Sequence, residues 1–256
     1  MSNDEYDDAV VIACELVWGK GNLAPGGDGN LANLVEGIDV ANRRVLDIGC
    51  GSGGPACTLA SKYGARVVGS DLEAPLLRRS LDRTRERSVA SSVSLLQVEP
   101  GPLAFRDDCF AAVLSSGGFT QTEAKLELFR ECLRVLEPGG WLSAYDWMRC
   151  DGPYSEEMLH WFELEGLSYT LETPEGGAEL LRQAGFVDVS VTDRSDWYRR
   201  QSAAEYEALK NEHYKSMVEL LGQAKADDFV ENWRALAEVC ERREMLQIYS
   251  RGRKPV

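Results

Sequence analysis

The chain has 256 residues, 44% hydrophobic and 27% charged, with a formal net charge of −14. That length buries one large core, so a single α/β domain over residues 1–256 is expected, while the negative field disfavours nucleic acid or anionic membranes as partners and reads as a solvated, solubilising surface. Seven scattered cysteines (Cys14, Cys50, Cys57, Cys109, Cys132, Cys150, Cys240) form no C-x-x-C pair, and with only two histidines they suggest neither a disulfide framework nor a metal site.

The leading residues "MSNDEYDDAVV" are acidic and lack the basic and long apolar regions of a signal peptide, and no apolar run approaches 18 residues, so a cytoplasmic location is expected. Residues 7–18 predict a helix ending at Gly19, followed by the glycine-rich turn "GKGNLAPGGDGN" and a second helix over 30–40. "RRVLDIGC" predicts a buried strand and "GPACTLASKYG" a helix with Pro55 near its start and Gly64 at its stop. "ARVVGSD" is the next strand, "LEAPLLRRSLDRTRER" a helix with a solvated basic face, and "VSLLQVE" and "CFAAVLSSG" the third and fourth strands. "KLELFRECLRVLEPGG" predicts a helix closed by Pro-Gly-Gly, and "WLSAYDWM" a fifth strand; the alternation argues a parallel, doubly wound sheet. After residue 150, "SEEMLHWFELEGLS" and "EGGAELLRQAG" look helical and "FVDVSVTD" is a sixth strand. A helical stretch over 199–244, interrupted near Lys225–Asp228, is too large for a plain crossover and reads as a cap over the strand rim; "MLQIYSRGRK" closes the sheet.

Within "VLDIGCGSGG" (45–54), Gly49, Gly51 and Gly54 match G-x-G-x-x-G, a spacing that can aim backbone N–H groups at a pyrophosphate. Asp47 argues against a dinucleotide. It stands at the carboxyl end of the strand, where an α/β sheet binds its ligand, and its carboxylate would repel that anion. The same carboxylate suits a ligand bearing an ammonium and a sulfonium. Gly49, Gly51 and Gly53 let the backbone approach such a ligand without a Cβ clash, and Asp71 ends the next strand where a carboxylate can accept both ribose hydroxyls.

On these residues the chain resembles the class I S-adenosylmethionine-dependent methyltransferases. "VLDIGCGSG" matches their first motif, "VVGSD" their acidic second-strand end, "LLQVEPGPLAFRDDCFAAVLSSG" their third and fourth strands, and "RVLEPGGWL" the turn into strand five. The resemblance implies a Rossmann-like doubly wound seven-stranded sheet whose last strand is antiparallel. It implies an N-terminal helical lid (1–40), a cofactor-binding core (41–150) and a substrate-side half (151–256) with a helical insertion before the last strand. S-adenosyl-L-methionine would be the cofactor and S-adenosyl-L-homocysteine the product. Asp47, Gly49, Gly51 and Gly53 would line the methionine and ribose, Asp71 and Leu72 the ribose and adenine, Glu99 and Pro100 the adenine, and Ser115 and Ser116 the methionine.

A wider likeness, to the phosphobase N-methyltransferases and the related glycine, sarcosine and dimethylglycine enzymes, rests on "CELVWGKGNLAPGG", "SYTLETPEGGAELLRQAGF", "DRSDWY" and "ENW". It implies a lid over residues 14–27 and substrate contacts at Cys14, Trp18, Leu23, Gly117, Trp147 and Tyr169. Here Gly117 and Gln121 replace an Asp and a His of that group, Cys14 and Trp147 replace tyrosines, and Leu167 replaces an arginine, while Tyr169 is kept. A phosphate needs charge-assisted donors, so phosphoethanolamine is a poor expectation as substrate. Gln121 can orient a polar group but cannot take a proton; Asp146 and Tyr169 are the candidate bases. Trp18 and Trp147 flank positions expected to face the cofactor pocket, and His160 and His213 are expected to serve surface or packing roles. The expected function is methyl transfer to a small-molecule acceptor, most simply an amine nitrogen, by a monomer or homodimer. An O- or S-methyltransferase and a non-catalytic cofactor-binding module are the alternatives.

Overall fold

In the computed structural model the first helix, α1 (Asp8–Trp18), starts where the Asp7 carboxylate accepts the N–H groups of Ala9 and Val10 (2.8 and 2.9 Å) and stops at Gly19 (φ 88°). Residues 7–167 and 169–256 are described; residues 1–6 of the acidic leader and Ser168 of "SYTLETPEGG" lie outside them. Helix α2 (Gly27–Val35) lies earlier than the expected 30–40. Asp28 favours its N-terminal dipole, and Gly37 (φ 72°) breaks the chain soon after it.

Strands and helices then alternate: β1 (Arg44–Ile48), α3 (Gly54–Tyr63), β2 (Arg66–Asp71), α4 (Ala74–Glu86), β3 (Val93–Gln97), β4 (Phe110–Ser116), α5 (Lys125–Val135) and β5 (Leu136–Arg149). Strand β5 already begins at Leu136, so Pro138-Gly139-Gly140 belongs to the strand rather than closing the helix. The register against β4 shifts there, between Phe110 and Ala112. The rest of the chain follows as α6 (Glu156–Glu165), α7 (Pro174–Ala184), β6 (Val187–Asp193), α8 (Ser195–Lys210), α9 (Tyr214–Leu221), α10 (Gln223–Glu241) and β7 (Met245–Arg253). The cap thus begins at Ser195, not 199. Its breaks fall after Lys210 and at Gly222 (φ 84°), while Lys225–Asp228 lie inside α10, with Lys225, Asp227 and Asp228 exposed and Ala226 buried.

The seven strands run in the order β3-β2-β1-β4-β5-β7-β6, with β7 antiparallel to both neighbours. The order reverses between β1 and β4, which pair in parallel, so a crevice opens beyond their carboxyl ends. One core layer packs Leu31, Leu59, Val45 and Ala112 under α2 and α3; the other packs Leu46, Val113, Phe129 and Leu181 under α5 and α7. Two further clusters build the cap. Trp161, Tyr198, Leu236 and Val239 form one, and Cys14, Leu209, Met217 and Trp233 join α1 to the cap helices in the other. Among the described residues every cysteine is free, no His/Cys/Asp/Glu group is arranged to hold a metal, and no helix is long and apolar enough to cross a membrane.

Candidate active site

The loop after β1 is wound by three glycines with positive φ: Gly49 (69°), Gly51 (51°) and Gly53 (85°). The N–H groups of Gly49 and Cys50 both donate to the Ser70 carbonyl (2.8 and 3.0 Å), hanging the turn on β2. Asp71 fixes it from the other side: Oδ2 accepts from Gly51 N (2.8 Å) and Oδ1 from Glu73 N (2.9 Å). A carboxylate has about four lone-pair sites, so capacity for two hydroxyls remains. Asp47, 2% exposed, leaves its Oδ2 without a hydrogen-bond partner. Burial, and secondarily the Asp71 charge, push its pKa up to about 7. A buried carboxyl with an unbonded oxygen beneath a glycine turn fits a ligand that brings a positive group.

The segment expected as a lid is latched onto this turn. The Gly54 N–H donates to the Gly21 carbonyl (2.9 Å), a contact open only to glycine, since a Cβ at Gly54 would sit 2.5 Å from that oxygen. Glu15 Oε1 gathers three donors: Gly21 N (2.9 Å), Ser52 Oγ (3.1 Å) and Arg83 (2.6 Å). Arg83 Nε also donates to the Ser52 carbonyl (2.7 Å). Arg83 is 6% exposed, which corrects the reading of the whole α4 basic run as solvated. Tyr145 Oη donates to the Pro25 carbonyl (2.9 Å), Thr58 Oγ1 to Asp28 (3.0 Å), and Tyr249 Oη to Asn30. The pocket under the lid is lined by Asn22, Leu23, Gly49, Gly51, Ser116 and Tyr145.

The other expected positions fall in three places. Leu72, 51% exposed, and the exposed Glu99 and Pro100 lie beyond β2 and β3, tied together by Gln97 Nε2 to the Leu72 carbonyl (3.0 Å). Ser115 is buried, donating to Ile48 O (3.0 Å) and accepting from Gly118 N (3.2 Å), so its hydroxyl straps the loop after β4; Gly117 (φ 83°) turns that loop. The buried Gln121 Nε2 has no hydrogen-bond partner.

Asp146 follows Tyr145 on β5 and points to the opposite face of the sheet. Its Oδ1 accepts from Phe119 N (3.1 Å) and Thr120 Oγ1 (3.2 Å), and it lines a separate pocket with Lys125, Phe129 and Glu172. Burial raises its pKa to about 7. Trp147 lines that second pocket and packs on Trp161 (5.5 Å), Tyr169 (6.0 Å) and Tyr198 (6.2 Å). Trp18 packs on Trp233 (5.5 Å) beside the buried Cys14. Neither tryptophan lines the pocket under the lid, whereas Leu23 does. Tyr169 Oη donates to Glu165 (2.9 Å). His160 is half exposed beside Glu231 (3.8 Å), and His213 precedes α9. Sequence reasoning passed over Glu15, Arg83 and Glu205. Glu205 on α8 is 3% exposed with neither carboxylate oxygen hydrogen-bonded.

Residues 46–144 match the family model described as "Methyltransferase domain". A phosphoethanolamine N-methyltransferase of Triticum aestivum is 30% identical over 239 residues, covering 92% of this chain and 46% of that protein. The chain spans about half the length of the plant relatives it matches first. Among solved structures, phosphoethanolamine N-methyltransferase 2 of Haemonchus contortus, in complex with phosphomonomethylethanolamine and S-adenosylhomocysteine, superposes with a TM-score of 0.91 at 23% identity, over 99% of this chain and 59% of that one. A protein of Galdieria sulphuraria provisionally assigned as a sarcosine dimethylglycine methyltransferase superposes at 0.83 with 20% identity, over 97% and 99%. Residues 46–144 thus match a methyltransferase domain, and the whole chain carries the fold of these solved structures.

Proposed function

We propose that this chain is an S-adenosylmethionine-dependent methyltransferase that methylates the nitrogen of a small amine carrying no phosphate. The observation that supports it most is the buried, unbonded Asp47 Oδ2 beneath a glycine turn whose geometry Asp71 holds. The cofactor supplies an electrophilic methyl group on a sulfonium. Asp47 balances that ligand's positive charge, and Gly49 and Gly51 keep the wall free of Cβ atoms. Asp71 accepts the ribose hydroxyls, while Leu72, Glu99 and Pro100 border the adenine. Ser116, Tyr145 and Leu23 close the methionine side, and the lid excludes water.

The chain's main catalytic contribution is holding nucleophile and methyl group in attack geometry, an effect that can reach about 7–11 kcal/mol. Gln121, with a buried amide seeking an acceptor, orients the acceptor molecule rather than deprotonating it. Gly117, Gln121 and Leu167 stand where the phosphobase pattern carries charged or titratable groups, which speaks against a phosphate ester. Asp146 Oδ1 is already engaged by the loop after β4, and this favours an acceptor that arrives deprotonated. A carboxylate or thiolate is accordingly the second reading. We further propose a single functional unit of lid, core and capped substrate half, working in the cytoplasm as a monomer or homodimer.

Calorimetric and thermal-shift titration with S-adenosylmethionine, S-adenosylhomocysteine and NADH, on wild type and Asp71→Ala, tests the reading. The sulfonium ligand and its product should bind and NADH should not, with Asp71→Ala weakening binding at least about tenfold. NADH binding in their place would refute it.

A further inference from the structure

Among the described residues, the buried and partly buried carboxyls near the two pockets and the cap nearly all have partners or a place in the site. Asp71 holds the glycine turn, Asp146 holds the loop after β4, Glu165 accepts from Asn232 (2.8 Å) and Tyr169 (2.9 Å), and Glu15 faces Arg83. Asp47 belongs to the cofactor turn. Glu205 remains. It is buried at the seam between the two cap clusters, neighboured by Cys14 and Trp18 of α1, Trp233 and Cys240 of α10, Tyr198 and Gln201 of α8, and Tyr145 of β5. Neither of its oxygens completes a hydrogen bond, and neither do the indole N–H groups of Trp18 and Trp233 or the Tyr198 hydroxyl. Those indoles and the Gln201 amide draw the Glu205 pKa downward, yet burial outweighs them and holds it at about 7. Among the described residues, no lysine, arginine or histidine contributes to that balance.

A carboxyl buried with no cationic partner is costly to fold, and a glutamine or leucine would fold more stably in its place. Its surroundings are largely aromatic: Trp18 and Trp233, whose rings lie 5.5 Å apart and whose indole N–H groups act on the carboxyl, and Tyr198, stacked on Trp147 at 6.2 Å. Aromatic rings beside a carboxylate attract an organic cation. An anionic phosphate would meet repulsion from both Glu205 and Glu165, whose charges act together on Cys14.

We propose that Glu205, beside Trp18, Trp233 and Tyr198, anchors an ammonium group of the methyl acceptor other than the nitrogen that takes the methyl, and so selects a cationic amine over a phosphate ester. This rests on the methyltransferase reading above. Tyr145 joins the two sites: it lines the pocket under the lid, and its phenol lies within the field of Glu205. Helix α1 joins them as well, since Cys14 and Trp18 cover Glu205 while Leu23, just beyond it, covers Gly51.

The test is titration of tetramethylammonium and ethanolamine, followed by tryptophan fluorescence and calorimetry with S-adenosylhomocysteine present, on wild type, Glu205→Gln and Glu205→Asp. Phosphoethanolamine is the anionic comparison. The expected result is ammonium binding by wild type, weakened at least about tenfold in Glu205→Gln and partly kept in Glu205→Asp. Phosphoethanolamine binds more weakly than ethanolamine, the S-adenosylhomocysteine affinity is unchanged, and Tm rises in Glu205→Gln. Equal ammonium binding by wild type and Glu205→Gln, or no ammonium binding by wild type with S-adenosylhomocysteine bound, overturns the anchor and leaves the methyltransferase reading standing. Glu205-dependent ammonium binding without any affinity for S-adenosylhomocysteine keeps the anchor and removes that reading instead.

Discussion

Replacing Arg83 by methionine keeps most of the apolar stem and removes the guanidinium that joins α4 to the lid. Two charge-assisted hydrogen bonds go with it, to Glu15 (2.6 Å) and to the Ser52 carbonyl (2.7 Å). Each is worth about 1.5–3 kcal/mol. Glu15 is 19% exposed at its side chain and keeps Gly21 N and Ser52 Oγ, so it is left only partly uncompensated, and the lower end of the sum, about 3 kcal/mol, is expected. At roughly 2–4 °C per kcal/mol for a chain of this size, Tm falls by about 6–12 °C. Glu15→Gln leaves Arg83, 6% exposed, with neutral acceptors only and costs a similar amount, about 3–5 kcal/mol. The double variant loses less than the sum by about 2 kcal/mol, because the two side chains share one network. Urea unfolding of the four proteins measures all three terms, and S-adenosylhomocysteine affinity in parallel reports the lid. A Tm for Arg83→Met within about 1 °C of wild type, with additive single effects, would return Arg83 to the solvated face and refute the latch.

Gly54→Ala gains up to about 1 kcal/mol of helix propensity at the start of α3, where the glycine has an ordinary φ. Its new methyl must nevertheless displace the Gly21 carbonyl from 2.5 Å; the expected outcome is little gain in Tm and faster hydrogen exchange in the lid, and unchanged lid protection would contradict it. Asp47, Asp146 and Glu205 each titrate near 7 in the folded chain, above their unfolded values of about 4. The folded state therefore binds more protons between those limits, so stability falls as pH rises from about 5 to 7 and levels off above. A Tm that climbs from pH 5 to 8 would sink that account, and Asp47→Asn or Glu205→Gln should each flatten the slope.

The cofactor half was legible because its constraints are local. Asp47, the glycines and Asp71 lie within 25 residues, and the strand-turn-helix unit that contains them dictates where each one points. The five parallel strands follow from alternating apolar runs with short turns, and the antiparallel β7 was implied by family likeness alone. Boundaries failed where local signals conflict. Pro138-Gly139-Gly140 has the composition of a helix stop, yet it lies within a strand whose bulge absorbs it. Lys225–Asp228 looked like a break, but its charges only mark the outer face of α10 while Gly222 makes the real one. Trp18 and Trp147 were placed by neighbourhood in sequence, whereas packing against Trp233 and Trp161 turns them into the cap.

Arg83 and Glu205 show what a local pattern holds and what it omits. The buried stripe of α4 runs Leu76, Ser80, Arg83, Thr84, and that of α8 runs Tyr198, Ser202, Glu205, Leu209. Both charged residues stand at helical core spacing, so each position was readable as inward-facing. Residue type argued the other way, since a lone charge on an inward face is costly unless something distant answers it. For Arg83 the answer is Glu15, 68 positions earlier, brought over by the lid. For Glu205 no residue of the described chain supplies a positive charge, although Trp18 and Trp233 stand beside it. The same sequence signal, a charge in a core stripe, thus divides into a latch when its partner is in the chain and a binding site when the partner must arrive from solution.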